Sequence, residues 1–145
     1  MHEILSVRAR VFVLEQHCFY LDADEYDVSA DHLIGRNDSG EVIAYLRLCK
    51  PHSKYAEPSI GRVLVVKPAR GRGFGKQLMQ RCIEKCEAQY LEQTIRLSAQ
   101  HHTQAFYQSF GFQAVGSPYN DAGILHIDMV RPPQSRSLSR EAFSL

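Results

Sequence analysis

No stretch of the 145-residue chain approaches the ~20 consecutive apolar residues that span a bilayer. No charged-then-apolar leader with a small-residue cleavage site opens it. A cytoplasmic protein that does not engage membranes is expected. Neither sign of charge prevails, since 17 Lys and Arg stand against 16 Asp and Glu. The basic excess of a nucleic-acid binder is therefore missing, and any anion site has to be local. The four cysteines, Cys18, Cys49, Cys82 and Cys86, include no CxxC pair. That spacing favours reduced thiols over a disulfide framework or a zinc site. What the chain does have is 44% apolar residues in the length of one domain, enough for a core.

Ile4, Val7, Val11 and Leu14 recur at helical spacing and predict an amphipathic helix ending near Glu15 or Gln16. An acidic loop follows, with Asp22, Asp24, Glu25, Asp27 and Asp31. His32 to Arg36, the turn cluster Asn37-Asp38-Ser39-Gly40 and the alternating stretch Glu41 to Lys50 predict a β-hairpin. Ser59 to Val66 reads as a buried strand, and Phe74, Leu78, Cys82 and Cys86 mark a helix running to about Tyr90. Cys82 and Cys86, four apart on that helix, have a packing spacing. Thr94 to Ala99 predicts a strand, and Thr103 to Phe110 a short helix capped by Gly111. Phe112 to Val115 and Ile124 to Val130 predict two last strands, joined by a loop with Pro118, Asn120 and Gly123. The fold class is α/β (α+β): a mixed central sheet with helices on both faces. Residues 1–131 form one domain, and the Ser-, Arg- and Pro-rich 132–145 form a loose tail.

The segment Val63 to Lys76 carries the chemistry. A buried strand enters a turn with Gly71, Gly73 and Gly75 and then a helix. Glycines let the backbone bend tightly and approach a ligand closely. The first N–H groups of a helix lack internal partners and, with the helix dipole, favour phosphate. Arg70, Arg72 and Lys76 crowd this positive end and no acid does. Without an anion each such charge costs about 0.3–1 kcal/mol, and a bound pyrophosphate reverses the sign. A Walker A loop is excluded, because Gln77 stands where Ser or Thr should follow Gly75-Lys76 and Arg70 replaces the first glycine. A dinucleotide fingerprint is excluded because Lys76 occupies its third glycine position. An EF-hand counted from Asp22 fails as well, with Asp27 at the sixth position and Leu33 at the twelfth. The acidic loop is then read as solvated or as attracting a cationic amine, and no metal ligand set is assigned.

Arg70, Gly73 and Gly75 after a buried strand resemble the R-x-x-G-x-G pattern of the GNAT acyltransferases, and Ala105 to Phe112 is similar to that family's A-x-F-Y-x-x-x-G-F helix. Arg8 to Gln16, His32 to Gly35, Ile60 to Val63, Ser98 to Gln100 and Gly123 to Ile127 resemble the ElaA-like members. ElaA-like chains usually carry a further stretch, including a first strand, before the opening helix. Here that strand is missing, so a sheet edge is left unpaired or is covered by another segment, which allows a homodimer.

The resemblance implies an acetyl-CoA-dependent N-acetyltransferase acting on an amine of a small molecule or peptide, by direct attack in a ternary complex. Acetyl-CoA is then a co-substrate and no metal takes part. The alternative is a noncatalytic acyl-CoA-binding regulatory module. The resemblance also implies the site. Backbone groups of Leu64 and Val65 meet pantetheine and the thioester carbonyl, and Arg70, Gly71, Arg72, Gly73, Phe74, Gly75 and Lys76 wrap the pyrophosphate. Gln100 and Phe106 contact the cofactor, Gln100 standing where many members carry Asn. Tyr107 is the expected general acid, with a core aromatic as its plainer role. Candidate bases are Glu15 at the end of the opening helix, Asp24, His32 and His101. His126 is expected to pack in or beside the last strand.

Overall fold

The computed structural model describes residues 1–16 and 22–134. The expectations for His17 and Cys18, and for the tail beyond Gln134, lie outside the described residues. Helix α1 (His2–Arg8) continues without a break into a π-helical segment, Ala9–Glu15, where the Gln16 N–H reaches back five residues to the Val11 carbonyl at 3.2 Å. Strands β1 (Asp31–Arg36), β2 (Val42–Cys49) and β3 (Ser59–Val65) precede helix α2 (Phe74–Gln89). Strand β4 (Ile95–Gln100), helix α3 (Gln104–Gln108) and strands β5 (Gln113–Asp121) and β6 (Ile124–Arg131) follow among the described residues. No helix among the described residues is long and apolar enough to cross a membrane.

The sheet runs β1-β2-β3-β4-β6-β5, antiparallel except for the β3–β4 pair. Its two faces bury different sets of residues. Ala44, Leu46 and Leu48 alternate along β2 toward α2, where Leu78, Met79, Cys82, Ile83 and Cys86 form the main core with Ile60, Leu97 and Ala99. Tyr45 and Leu64 belong to the second core, together with Val42 and Ile4, Val7, Val11 and Phe12 of the opening helix. Helices thus cover both faces, as expected. Cys49, Cys82 and Cys86 are buried free thiols.

The hairpin forms as read, and Asn37 explains why: its Oδ1 accepts the N–H groups of Ser39 and Glu41 at 3.0 and 2.9 Å, while Gly40 takes φ +84°. The short helix is narrower than expected: α3 ends at Gln108 with Ser109 as its C-cap, and Gly111 lies two residues further on, at φ +91° with its N–H on the Gln108 carbonyl at 3.0 Å. The loop expected around Pro118 is instead strand. β5 runs on to Asp121, with its register broken between Val115 and Tyr119. It is an outer strand, so a residue without an N–H is tolerated there. The turn to β6 shrinks to Ala122-Gly123, both at positive φ (53° and 84°). At the opposite edge stands β1, and no described strand lies outside it.

A candidate acyl-CoA cleft

Two features of β3 open the sheet. Against β2, Tyr45 pairs with Leu64 and Arg47 with Gly61, so Arg62 and Val63 stand opposite the single residue Leu46. This is a β-bulge, with Arg62 in the left-handed region at φ 54°. Against β4, pairing is confined to Ser59 with Arg96 and Ile60 with Leu97. Beyond that point β3 and β4 diverge. The split holds a cleft of about 600 Å³ lined from the β3 side by Leu64 and Val65 and from the other side by Ser98, Gln100, Tyr107 and His126. From Gly61 to Val65 the strand has β2 on one side and the cleft on the other, so backbone groups along that edge lack a sheet partner, and of these the Val65 carbonyl is taken by Arg70 Nε at 2.8 Å.

Arg70 lines the cleft and the glycine-rich turn continues from it. Gly71 and Gly73 have φ of 82° and 81°, and an added Cβ at either would meet nothing within 4 Å. Backbone conformation, not crowding, is what calls for glycine there. Gly73 is the N-cap of α2, no side chain caps that end, and no acid stands in its first turn. The N–H groups of Phe74, Gly75 and Lys76 therefore have no acceptor within the helix. Gly75 faces Phe106 and Val65, at 3.5 and 3.9 Å from where its Cβ would stand, which joins the turn to the cleft wall. Phe74 packs on the main core. Phe106 meets Tyr107 and Phe110 edge to face.

The expectation that no acid reaches this cationic turn needs correction. Glu15, at the end of the π-helical segment, bonds Arg70 Nη2 at 2.5 Å, and Arg70 Nε donates to the Val65 carbonyl at 2.8 Å. This contact joins residues 55 apart in sequence and was not visible in the local pattern. Arg72 and Lys76 are exposed, and no described carboxylate pairs with either. Glu15 does line the cleft. The hydrogen bond from Arg70 holds its carboxyl below the usual range, which makes it a weak proton acceptor.

The remaining candidate bases fare differently. Asp24 binds Arg47 Nη1 at 2.6 Å and Arg62 Nη2 at 3.4 Å. Both His32 nitrogens are engaged, Nδ1 with Tyr45 Oη at 2.5 Å and Nε2 with the Asp27 carbonyl at 2.9 Å. His101 is exposed in the turn before α3 and does not line the cleft. In the acidic loop Glu25 is exposed, but Asp22, Asp24 and Asp27 are neither solvated nor waiting for an amine. Arg8, fully buried, binds Asp22 and Asp27 at 2.8 and 2.6 Å. Arg47 also reaches Asp27, at 3.0 Å, and Arg62 binds Asp22 at 2.9 Å. Three arginines and three aspartates thus compensate one another inside the fold. Arg47 and Arg62 also line the cleft, so this network builds its wall.

Tyr107 stands where expected. Its ring meets Phe112 edge to face at 6.3 Å, and it lines the cleft. Burial pushes the hydroxyl up to about 12, so it keeps its proton throughout the neutral range. Gln100 lines the cleft and donates from Nε2 to Gln16 Oε1 at 3.0 Å, tying β4 to the end of the opening helix. His126 also enters the cleft, although strand alternation alone gave no reason to single it out. The signal available was its place in Gly123 to Ile127, a stretch read as an ElaA-like resemblance with His126 expected only to pack in or beside the last strand.

Residues 10–131 match the family model described as "Acetyltransferase (GNAT) domain". The UPF0039 protein sll0451 of Synechocystis sp. is 48% identical over 130 residues, covering 90% of this chain and 84% of that protein. The crystal structure of Escherichia coli ElaA superposes with a TM-score of 0.83 at 39% identity, covering 90% of this chain and 88% of ElaA. An acyl-CoA N-acyltransferase from Pseudomonas aeruginosa superposes at 0.84 with 42% identity and the same coverages. With its diverging strands and glycine-rich helix start, the chain belongs to the GNAT acetyltransferase family, a family of acyl transfer from coenzyme A.

Proposed function

We propose that the protein transfers an acetyl group from acetyl-CoA to a primary amine of a small molecule or peptide, by direct attack with both reactants bound. The observation that carries this reading is the split between β3 and β4, which opens a cleft beside an uncapped helix start where Arg72 and Lys76 have no described carboxylate partner. The similarity to the acyl-CoA N-acyltransferase of P. aeruginosa supports it. In this reading the diphosphate of the co-substrate lies on the N–H groups from Gly71 to Lys76, the Arg70 N–H being already on the Lys67 carbonyl at 3.2 Å, with Arg72 and Lys76 as counter-charges. Pantetheine lies along Leu64 and Val65 and supplies the edge that β4 leaves. Phe106 and Gln100 flank the arm. Glu15 orients Arg70.

Holding the amine against the thioester removes most of the translational cost of a bimolecular reaction. The nitrogen attacks the carbonyl carbon, the C–S bond breaks, and the sulfur leaves with the electron pair. Tyr107 supplies a proton donor for that sulfur. Its high proton affinity keeps it protonated before the step. Tyr107→Phe should lower kcat by about 100-fold, the low end for loss of a general acid, while the acetyl-CoA Kd from calorimetry stays within a factor of two or so. An unaltered kcat removes Tyr107 from the chemistry. Release of free CoA thiol across a panel of primary amines tests the reading as a whole. Saturable acetyl-CoA binding without thiol release from any amine would instead favour a noncatalytic acyl-CoA-binding module.

A further inference from the structure

On the far side of the split from Leu64, the β4–β6 ladder sets Gln100 opposite His126 and Ser98 opposite Asp128, and the β5–β6 ladder sets Tyr119 opposite His126. Directly opposed residues share a face, as do residues two apart on one strand. These five side chains therefore stand on one surface, and Ser98, Gln100 and His126 of that group line the cleft.

His126 is fixed there in one tautomer. Its Nδ1 lies 2.7 Å from the Ile124 carbonyl. A carbonyl only accepts, so Nδ1 carries the hydrogen and the neutral ring keeps its lone pair on Nε2. Among the described residues nothing hydrogen-bonds Nε2. The Tyr119 ring stacks on the imidazole at 6.1 Å and 22°. Tyr119 is itself held, its hydroxyl donating to Asp128 Oδ1 at 2.6 Å and bonded to Ser98 Oγ. Asp128 Oδ2 in turn accepts from Arg96 Nη2 at 2.6 Å. A backbone carbonyl thus sets the ring's protonation, and a tethered aromatic sets its plane.

We propose that His126 is the general base of the transfer and Tyr119 its positioning residue. This rests on the acyltransferase reading above. Nε2 takes one proton from the attacking amine nitrogen. The new N–C bond forms, the C–S bond breaks, and the sulfur carries away the electron pair and is protonated. Tyr107 gives the sulfur its proton, the products are an amide and CoA thiol, and the imidazolium's proton returns through solvent to the Tyr107 phenolate, so both side chains are restored. The groups the structure had to dispose of for this assignment are already occupied: Glu15 by Arg70, Asp24 by Arg47 and Arg62, and His32 by Tyr45 and a carbonyl.

The other titratable groups facing this part of the cleft must be carried through the test. They are Tyr119 and Asp121 of β5, Asp128 of β6 itself, Arg96 of β4, Lys54 and Tyr55 of the loop before β3, Arg62 of β3, His102 of the turn before α3, Tyr107 of α3 and Glu15 from the opening helix. The first measurement needs no acceptor. Imidazole ¹⁵N NMR of the wild-type protein should show His126 as the Nδ1–H tautomer, and an Nε2–H tautomer overturns the proposal. The second compares His126→Gln, His102→Gln and wild type with acetyl-CoA and whichever amine of the panel gives turnover. His126→Gln should lose about 100-fold or more in kcat/KM and lose the acidic limb of its pH profile, with acetyl-CoA binding and thermal unfolding unchanged. His102→Gln should keep that limb. Added imidazole should restore part of the rate of His126→Ala. Wild-type turnover with the acidic limb intact in His126→Gln overturns the role of His126 alone. Wild type that binds acetyl-CoA and releases no thiol with any amine overturns the acyltransferase reading too.

Discussion

Replacing Arg8 by Met should damage this fold more than any surface change, and the structure says by how much. The guanidinium has no exposed surface and donates to Asp22 Oδ2, the Asp22 carbonyl, Asp27 Oδ1 and Asp27 Oδ2 at 2.8, 2.9, 2.6 and 3.4 Å. Methionine fills the space of its stem and none of those bonds. Asp27 would keep Arg47 Nη1 and the Asp24 N–H, both at 3.0 Å, and Asp22 would keep Arg62 Nε at 2.9 Å. Three cations against three anions become two against three, in a region where Asp22 and Asp27 are only 7% and 5% exposed. Breaking a buried ion pair from one side costs about 3–5 kcal/mol, which for a domain of this length is roughly 10–20 °C in Tm. Urea unfolding read by circular dichroism measures it.

The same experiment has a pH arm whose sign is fixed. Burial alone would raise the Asp27 carboxyl, but the hydrogen bonds from Arg8, the Asp24 N–H and Arg47 outweigh it and leave it well below the ordinary range. A group depressed in the folded state contributes stability above its unfolded value, about 3.9 for Asp, and loses it as pH falls through the folded value. The gap between wild type and Arg8→Met should therefore be full at pH 6 and narrow below about pH 4. A loss under about 1 kcal/mol, the worth of an exposed pair, or a gap that ignores pH, would refute the reasoning.

The glycine-rich turn yields two further expectations. Gly73→Ala forces a side chain into the left-handed region at φ 81° with open space around it. It should cost about 1–2 kcal/mol of stability in urea unfolding, and a stability equal to wild type would show the turn adopting another conformation. Arg72→Ala with Lys76→Ala should weaken acetyl-CoA binding at least tenfold, since a hydrogen bond to a charged group is worth about 1.5–3 kcal/mol, and should flatten its salt dependence. Because two cations leave a positive helix end, folding stability should hold or rise slightly. Calorimetry at two salt concentrations, with a melting curve, separates this from a merely structural loss.

Much of the fold was legible because its signals are local. The period-2 run through Val42, Ala44, Leu46 and Leu48, the Asn37 to Gly40 turn and the helical stripe of Leu78, Cys82 and Cys86 each lie within one element, and each forms as read. Pro118 misled because a missing N–H excludes a central strand and not an outer one, and position in the sheet is a property of the whole chain. The acidic loop misled for a related reason. Five carboxylates in a short stretch read as solvated until Arg8, Arg47 and Arg62, from a helix and two strands, converge on three of them.

The site divides along the same line. Strand, glycine turn and helix start are contiguous from Val63 to Lys76, so a place for an anion could be read from the local pattern, while the co-substrate itself came from the family resemblance. The opposite half draws Glu15 and Gln16 from the opening helix, Arg62 from a bulge, Ser98 and Gln100 from β4 and His126 from β6. No window of sequence contains that set, and each member alone resembles a packing or surface residue. The bulge matters most, because Arg62 and Val63 standing against Leu46 coincide with the end of β3–β4 pairing. One extra residue in β3 both turns Arg62 toward Asp22 and Asp24 and accompanies the gap between β3 and β4. Acceptor preference should then follow the residues around that gap, Arg62, His126 and Tyr119 among them, far more closely than it follows the glycine-rich turn.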